Sequence, residues 1–375
     1  MDKLTIGIVG AGMGGLTAAI ALRGMGHDVA VFEQAKAFGR VGADINLTPN
    51  AVRALDRLGI GARLRETAAR PTHRISRMWD TGEETSRLEM SDEAERKYGS
   101  PQLTIHRADL LSALEEALPS DCFRMGYKAI GAEDKGDSVK ITFDNGETAD
   151  FDAVIAADGI HSVIRHAIFG PENPQFTGLV SWRATFPRER AADLANLDAF
   201  TKWWGPEASR QIVTFPLSAG QEIFVFATTP QDDWRNESWT APGEIGELRA
   251  AYADFNPEAR RLLDACDSVT KSALHVRDPL PQWTKGRITL MGDAAHPMTP
   301  FMAQGACQAI EDGVVLARSL EHADKASVPE ALKRYETARR DRTAEIQIAS
   351  RGNEWLKKGG NADWVYGYDA WNVAV

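Results

Sequence analysis

The chain is poor in cysteine, in positive charge and in long apolar runs. Only three of its 375 residues are cysteine: Cys122, Cys266 and Cys307. Their wide spacing excludes a disulfide framework and any Cys-x-x-Cys metal site. Lysine and arginine number 43 against 53 aspartate and glutamate, a formal net charge of -10, so the basic surface on which nucleic-acid binding depends is missing. No run approaches the ~18 apolar residues of a membrane span. The short apolar stretch near the N-terminus is needed as a strand and is too short for a secretory h-region. These absences predict a soluble, cytoplasmic protein with no nucleic-acid or membrane partner. Internal repeats, low-complexity segments and metal-ligand clusters are absent too, and no metal is expected.

What the chain has in full is a dinucleotide signature. Leu4 to Val9 reads as a buried parallel strand, and Gly10, Gly12 and Gly15 follow at G-x-G-x-x-G spacing where Leu16 begins a helical pattern. Gly10 makes the turn, Gly12 lets backbone approach a pyrophosphate, and Gly15 lets the helix pack close to the strand. The free amides of the helix N-terminus face the phosphates. A second strand, Val29 to Phe32, delivers Glu33 where a carboxylate can hold both ribose hydroxyls. This stretch leaves FAD against NAD open.

The length predicts about two domains. Residues 34 to 50, with Gly39, Gly42 and Pro49, read as a loop of little regular structure, and a helix follows from Ala51 to a cap at Gly59. Residues 73 to 90 alternate like a hairpin around Thr81-Gly82, and Leu110, Leu114 and Leu118 define the inner face of a helix. The Asp144-Asn145-Gly146 turn marks another hairpin. Asp158-Gly159 ends a buried strand, and Gly292-Asp293 ends another before a helix that begins around Ala303. Between them, five tryptophans (Trp182, Trp203, Trp204, Trp234, Trp239) and strands such as 211–215 and 222–227 indicate an antiparallel sheet. Helix is expected onward to about Leu356.

Three segments thus converge on the carboxyl edge of one sheet: the glycine turn, Asp158-Gly159-Ile160-His161-Ser162 through Arg165, and Gly292-Asp293-Ala294-Ala295-His296-Pro297. With Glu33 and in this order they resemble the single-component flavin-dependent aromatic hydroxylases across nearly the whole chain. Within that family the chain is most similar to the members that hydroxylate 6-hydroxynicotinate, and less so to salicylate hydroxylases. That closer likeness lies in Pro300 to Cys307, Trp203-Trp204 and Trp364 to Asp369. The resemblance implies an α/β protein of the para-hydroxybenzoate hydroxylase type. Its Rossmann-like FAD-binding domain would be residues 1–170 and 276–325. An antiparallel-sheet substrate domain would span 171–275, with 73–100 able to pack against it, and 326–375 would form C-terminal helices and an aromatic tail.

It also implies non-covalent FAD, a transient NADH or NADPH (no second G-x-G-x-x-G is present) and O2. The reaction would hydroxylate a small electron-rich ring acid, of hydroxypyridine-carboxylate or hydroxybenzoate type, with or without decarboxylation. A monomer or homodimer is expected. The cofactor would be held by Gly10, Gly12, Gly14, Gly15 and Glu33, by Arg40, Arg107 and Asp158, by Asp293 on the ribityl chain, and by Gln304, Gly305 and Ala306 at a helix start. That positive helix end suits the negative charge of a reduced flavin. Candidate catalytic residues are His296, Gln211 and Phe215, the last two expected to select substrate rather than make bonds; His161 and His106 read as structural. Substrate would meet Asn46, Gln211, Phe215, Phe301 and Met302, with Arg183 or Arg210 as carboxylate anchor. Where the hydroxynicotinate enzymes carry histidine and tyrosine on the pocket strand and a histidine after the second loop, this chain has Gln211, Phe215 and Phe301. The residues alone also leave open a same-fold flavoprotein acting on a larger or non-aromatic substrate, and a non-catalytic flavin sensor.

Overall fold

The computed structural model describes residues 3–39, 44–234, 236, 238, 241–352 and 362–375. A six-stranded sheet carries the dinucleotide signature. Strand Thr5–Val9 lies at its centre, parallel to Asp28–Glu33 on one side and Ala153–Ala156 on the other. Phe123–Met125 and Ile288–Leu290 extend it in parallel, and Thr284–Lys285 closes it antiparallel. Ile6, Ile8, Val154 and Ile155 are fully buried, as strands covered on both faces require. Helices Met13–Gly24 and Gly305–Leu320 pack on one another across it.

A second, eight-stranded sheet is antiparallel except at one place. Its order runs Pro242–Gly243, Val269–Val276, Gln175–Pro187, Glu222–Pro230, Gln211–Leu217, Phe200–Trp204, His73–Met78, Glu84–Glu89. The parallel exception joins Phe200–Trp204 to His73–Met78, so the 73–90 hairpin belongs to this sheet. Tyr252 donates its hydroxyl to the carbonyls of Gln211 at 3.0 Å and Thr228 at 2.5 Å, pinning two central strands together.

Two expectations change. The segment expected as loop before Ala51 contains strand Asp44–Leu47, paired with Leu103–His106, and a helix that already begins at Pro49. Proline at a first helical position is favourable because its missing N–H has no helical partner to lose. The C-terminal helix Val328–Ala349 ends before Leu356, which lies outside the described residues together with Trp239. Among the described residues no helix is long and apolar enough to cross a membrane, and no group of metal-ligating side chains occurs.

The two long helices meet through ionic groups. Glu311 and Asp312 of Gly305–Leu320 and Arg339 of Val328–Ala349 have no solvent exposure. Arg339 donates to Glu311 Oε2 at 2.5 Å and to Asp312 Oδ1 at 2.8 Å. Arg342 adds a second bond to Glu311 Oε2 at 3.1 Å. Arg339 and His296 hold the Asp312 carboxyl down to about 2 against burial that pushes it up. Removing one partner would leave a buried charge uncompensated, which costs about 3–5 kcal/mol. Arg339→Ala should therefore lower the urea unfolding free energy by about that much, and a change below about 1 kcal/mol would refute the role assigned to the network. Because the folded pKa of Asp312 is depressed from 3.8 to about 2, its contribution is complete above pH about 4 and should fade as pH falls through about 2.

Candidate active site

The glycine turn shows why each glycine is needed. At Gly10, φ is +105° and a Cβ would lie 2.3 Å from the Ala157 carbonyl oxygen; at Gly15 a Cβ would lie 2.1 Å from the Gly10 carbonyl oxygen. Gly12 differs: φ is -76° and a Cβ there would meet no protein atom within 4 Å. The space it would enter is a cavity of about 460 Å³, within the usual range of small-molecule sites, whose walls include Gly12, Met13, Gly14 and Gly15. Arg107, Asp293, Gly305 and Ala306 border the same space. Burial lowers the Arg107 pKa while the charges of Asp293 and Glu33 raise it, so one cation and two carboxylates gather at this end.

The cavity continues to the inner face of the eight-stranded sheet. Side chains two apart on a strand emerge together, and Gln211, Val213 and Phe215 all line it. Flanking strands add Phe200, Lys202 and Trp204, then Arg74 and Ser76, then Phe226 and Arg183. Phe200 and Phe215 are stacked, with centroids 5.2 Å apart and planes within 3°. Opposite this face, Asn46, Phe301 and Met302 complete the chamber. Gln211 is 2% exposed, and its Oε1 has no hydrogen-bond donor among the described residues. Asn46 accepts a bond from Gln102 at 2.8 Å.

A model of the FAD binding domain family matches residues 3–349. A 6-hydroxynicotinate 3-monooxygenase from Pseudomonas fluorescens is 39% identical, over 99% of this chain and 96% of its own length. The chain belongs to the FAD-dependent aromatic hydroxylases. A 3-amino-4-hydroxybenzoate 2-monooxygenase from Streptomyces platensis is 35% identical over 98% of this chain and 97% of its own. Among solved structures, Klebsiella pneumoniae HpxO complexed with FAD and uric acid superposes with TM-score 0.84 at 27% identity, covering 96% of this chain and 90% of that one. A salicylate hydroxylase substrate complex gives 0.84 at 27%, covering 98% and 96%.

FAD fits the cradle of this hydroxylase, since the space beyond Gly12 is open and backbone amides of a helix start border it. Several of the expected side chains also make bonds within the protein. Glu33 accepts bonds from the amides of Ala11 at 3.0 Å and Ala35 at 2.8 Å, bracing the turn. Asp158 caps the next helix by accepting from the amides of Val163 at 2.9 Å and Ile164 at 3.2 Å, and burial raises its pKa; it is not on the cavity wall. Gln304 turns inward to Thr48, Asn50 and Gln308, leaving Gly305 and Ala306 as the wall. Arg40 lies outside the described residues.

Two candidates lie off the cavity wall, where their structural readings apply. His296 is 2% exposed and off the cavity wall, with Nε2 2.6 Å from Asp312 Oδ2 and its ring 5.2 Å from that of Trp283. It is a structural member of the buried ionic network. Arg210 faces away from the chamber and binds Asp254, at 2.6 Å, and the Ala251 carbonyl. The residues that sequence reasoning missed include Arg74, Ser76, Gln102, Phe200, Lys202 and Asp44, with Trp204, Val213, Phe226 and Met298; the parallel pairing that admits the first two has no local signature.

The glycine geometry gives a direct test. Gly12→Ala should fold with wild-type thermal stability yet retain far less FAD, whereas Gly15→Ala should lose stability as well. A Gly12→Ala protein that purifies with full flavin content would show that this space is not the cofactor cradle.

Proposed function

We propose that this hydroxylase inserts one oxygen atom of O2 into a small ring acid carrying a hydroxyl or amino group, of the hydroxypyridine-carboxylate or hydroxybenzoate type, with or without loss of the carboxylate. The observation that carries this reading is that the Gly12 cradle and a chamber walled by Phe200, Phe215, Phe226 and Phe301 are one cavity. Bound FAD, reduced by NADH or NADPH, supplies the oxygen-transferring chemistry. The chain supplies position and environment. Asp293 and Arg107 hold the polar part of the cofactor, and the N-terminus of Gly305–Leu320 directs its positive end to the same place.

Phe215, backed by Phe200, and Phe301 border the space that takes the substrate ring. The unfilled acceptor on Gln211 takes a ring N–H or O–H, since an amide oxygen accepts but cannot deprotonate near neutral pH. Met298, Phe301 and Met302 keep water from the reacting face, which suppresses release of peroxide. Residues 1–170 with 276–325 mainly serve the cofactor and 171–275 with the 73–100 segment the substrate, whose chamber Asn46, Phe301 and Met302 close from the cofactor side, in a cytoplasmic monomer or homodimer with 326–375 as C-terminal helices and tail.

The test is a screen of hydroxypyridine and hydroxybenzoate acids for stimulated NADH or NADPH oxidation, with product mass showing one added oxygen. Gln211→Leu and Phe215→Ala should raise KM by up to about tenfold, the equivalent of one net hydrogen bond, and increase peroxide per nicotinamide oxidised at unchanged FAD content. If Phe215→Ala lowers thermal stability and leaves coupling intact, Phe215 is core and the chamber is not the substrate site.

A further inference from the structure

Oxygen transfer to a hydroxylated ring is helped by removing the hydroxyl proton, yet among the described residues no histidine borders the cavity. Two carboxylates do, Asp293 and Asp44. Asp293 stands at the cofactor end with Arg107. Asp44 opens the Asp44–Leu47 strand, and Ile45 and Asn46 after it border the same cavity. Arg183 faces it from the Gln175–Pro187 strand. His106 is its cross-strand partner, and Arg107 follows where that strand becomes a helix. His106 Nδ1 is engaged by the Ala108 amide at 3.2 Å. Helix Gly305–Leu320, packed behind Asp44–Leu47, sends Glu311 and Asp312 into the Arg339 network instead. Of the two carboxylates on this wall among the described residues, Asp44 thus interacts with a buried arginine, Arg183, whereas Asp293 interacts with Arg107 at the cofactor cradle.

We propose that Asp44 is the catalytic base that accepts the proton of the substrate's ring hydroxyl, with Arg183 as the positioning charge that keeps it ionised. The proposal rests on the hydroxylase reading above. The ring O–H bond breaks with its electron pair staying on oxygen, the proton goes to a carboxylate oxygen of Asp44, and the resulting acid returns it to the product oxygen or to solvent. Burial pushes the Asp44 carboxyl up to about 6 against the pull of Arg183. A base of that strength is ionised at neutral pH and close to the value at which proton transfer is most effective.

The test uses FAD-loaded enzyme with 6-hydroxynicotinate, 3-hydroxybenzoate and 3-amino-4-hydroxybenzoate, each with a ring-fluorinated analogue whose hydroxyl ionises more readily. Wild-type kcat/KM should fall as pH drops through about 6. Asp44→Asn should lower kcat/KM about 100-fold at neutral pH and abolish that acid limb, with FAD content unchanged, and it should lose less on the fluorinated rings. Asp44→Glu should restore the limb. If Asp44→Asn keeps the wild-type limb, or loses activity equally on parent and fluorinated rings, Asp44 is only a counter-ion to Arg183 and the proposal is overturned. A wild type that hydroxylates none of the ring acids overturns the ring-acid reading and this one together, so the two failures are distinguishable.

Discussion

The active site is organised by two carboxylates of a kind that proteins normally keep in water. Glu311 and Asp312 are adjacent on one helix and wholly buried, so they point to different neighbours. Asp312 accepts the Gly292 amide at 2.9 Å and thereby fixes the turn that presents Asp293. Glu311 accepts from Asn50 at 2.6 Å and so fixes the start of the Pro49–Arg57 helix. Arg339 joins both, and Arg342 passes the restraint to the Trp364 carbonyl at 2.7 Å, where the aromatic tail begins. Cofactor loop, chamber wall and tail are therefore registered against one helix by charge-assisted bonds, which are shorter and more directional than apolar contacts. Packing alone would hold these elements together without fixing which backbone amide faces the cavity.

The network also explains His296. A histidine two residues past a Gly-Asp-Ala turn invites an acid-base role, but its partner Asp312 lies 16 residues downstream on a helix that sequence alone does not orient. With Asp312 ionised, Nε2 must carry the hydrogen, because a carboxylate only accepts. The imidazole is thereby committed to holding the loop.

How much was legible in the chain follows from the range of each signal. Strand, glycine turn, helix and Glu33 lie close together in the chain, and periodicity with steric need at Gly10 and Gly15 makes them readable. Gln211 and Phe215 were readable together because alternation puts them on one face. The same rule, applied to Arg210, predicts the opposite face from Gln211, and the arginine is found there with Asp254. Asp44 was hidden between glycines and a proline, in a strand made only by its pairing with Leu103–His106. Arg74 and Ser76 reach the chamber through pairing with Phe200 and Lys202, far away in the chain, for which no local pattern exists.

The register of the chamber wall shows how specificity can be written on a sheet. One row sets Trp204 opposite Gln211 and Gln211 opposite Thr228; the next sets Ser76, Lys202, Val213, Phe226 and Arg183 in line; a third sets Arg74 beside Phe200 and Phe215 beside Phe224. The middle row is apolar at its centre, with Lys202 towards one end and Arg183 at the other, so a positive charge flanks Val213 and Phe226 on both sides. The amide row breaks that symmetry, because Gln211 stands on one side of the centre only. A buried acceptor left without a donor costs about 1–3 kcal/mol, and Leu or Met would fill the same volume without that cost. An unfilled acceptor between Val213, Phe215 and Trp204 fits a site whose missing donor arrives with the ligand, the reading given to Gln211 in the proposed function.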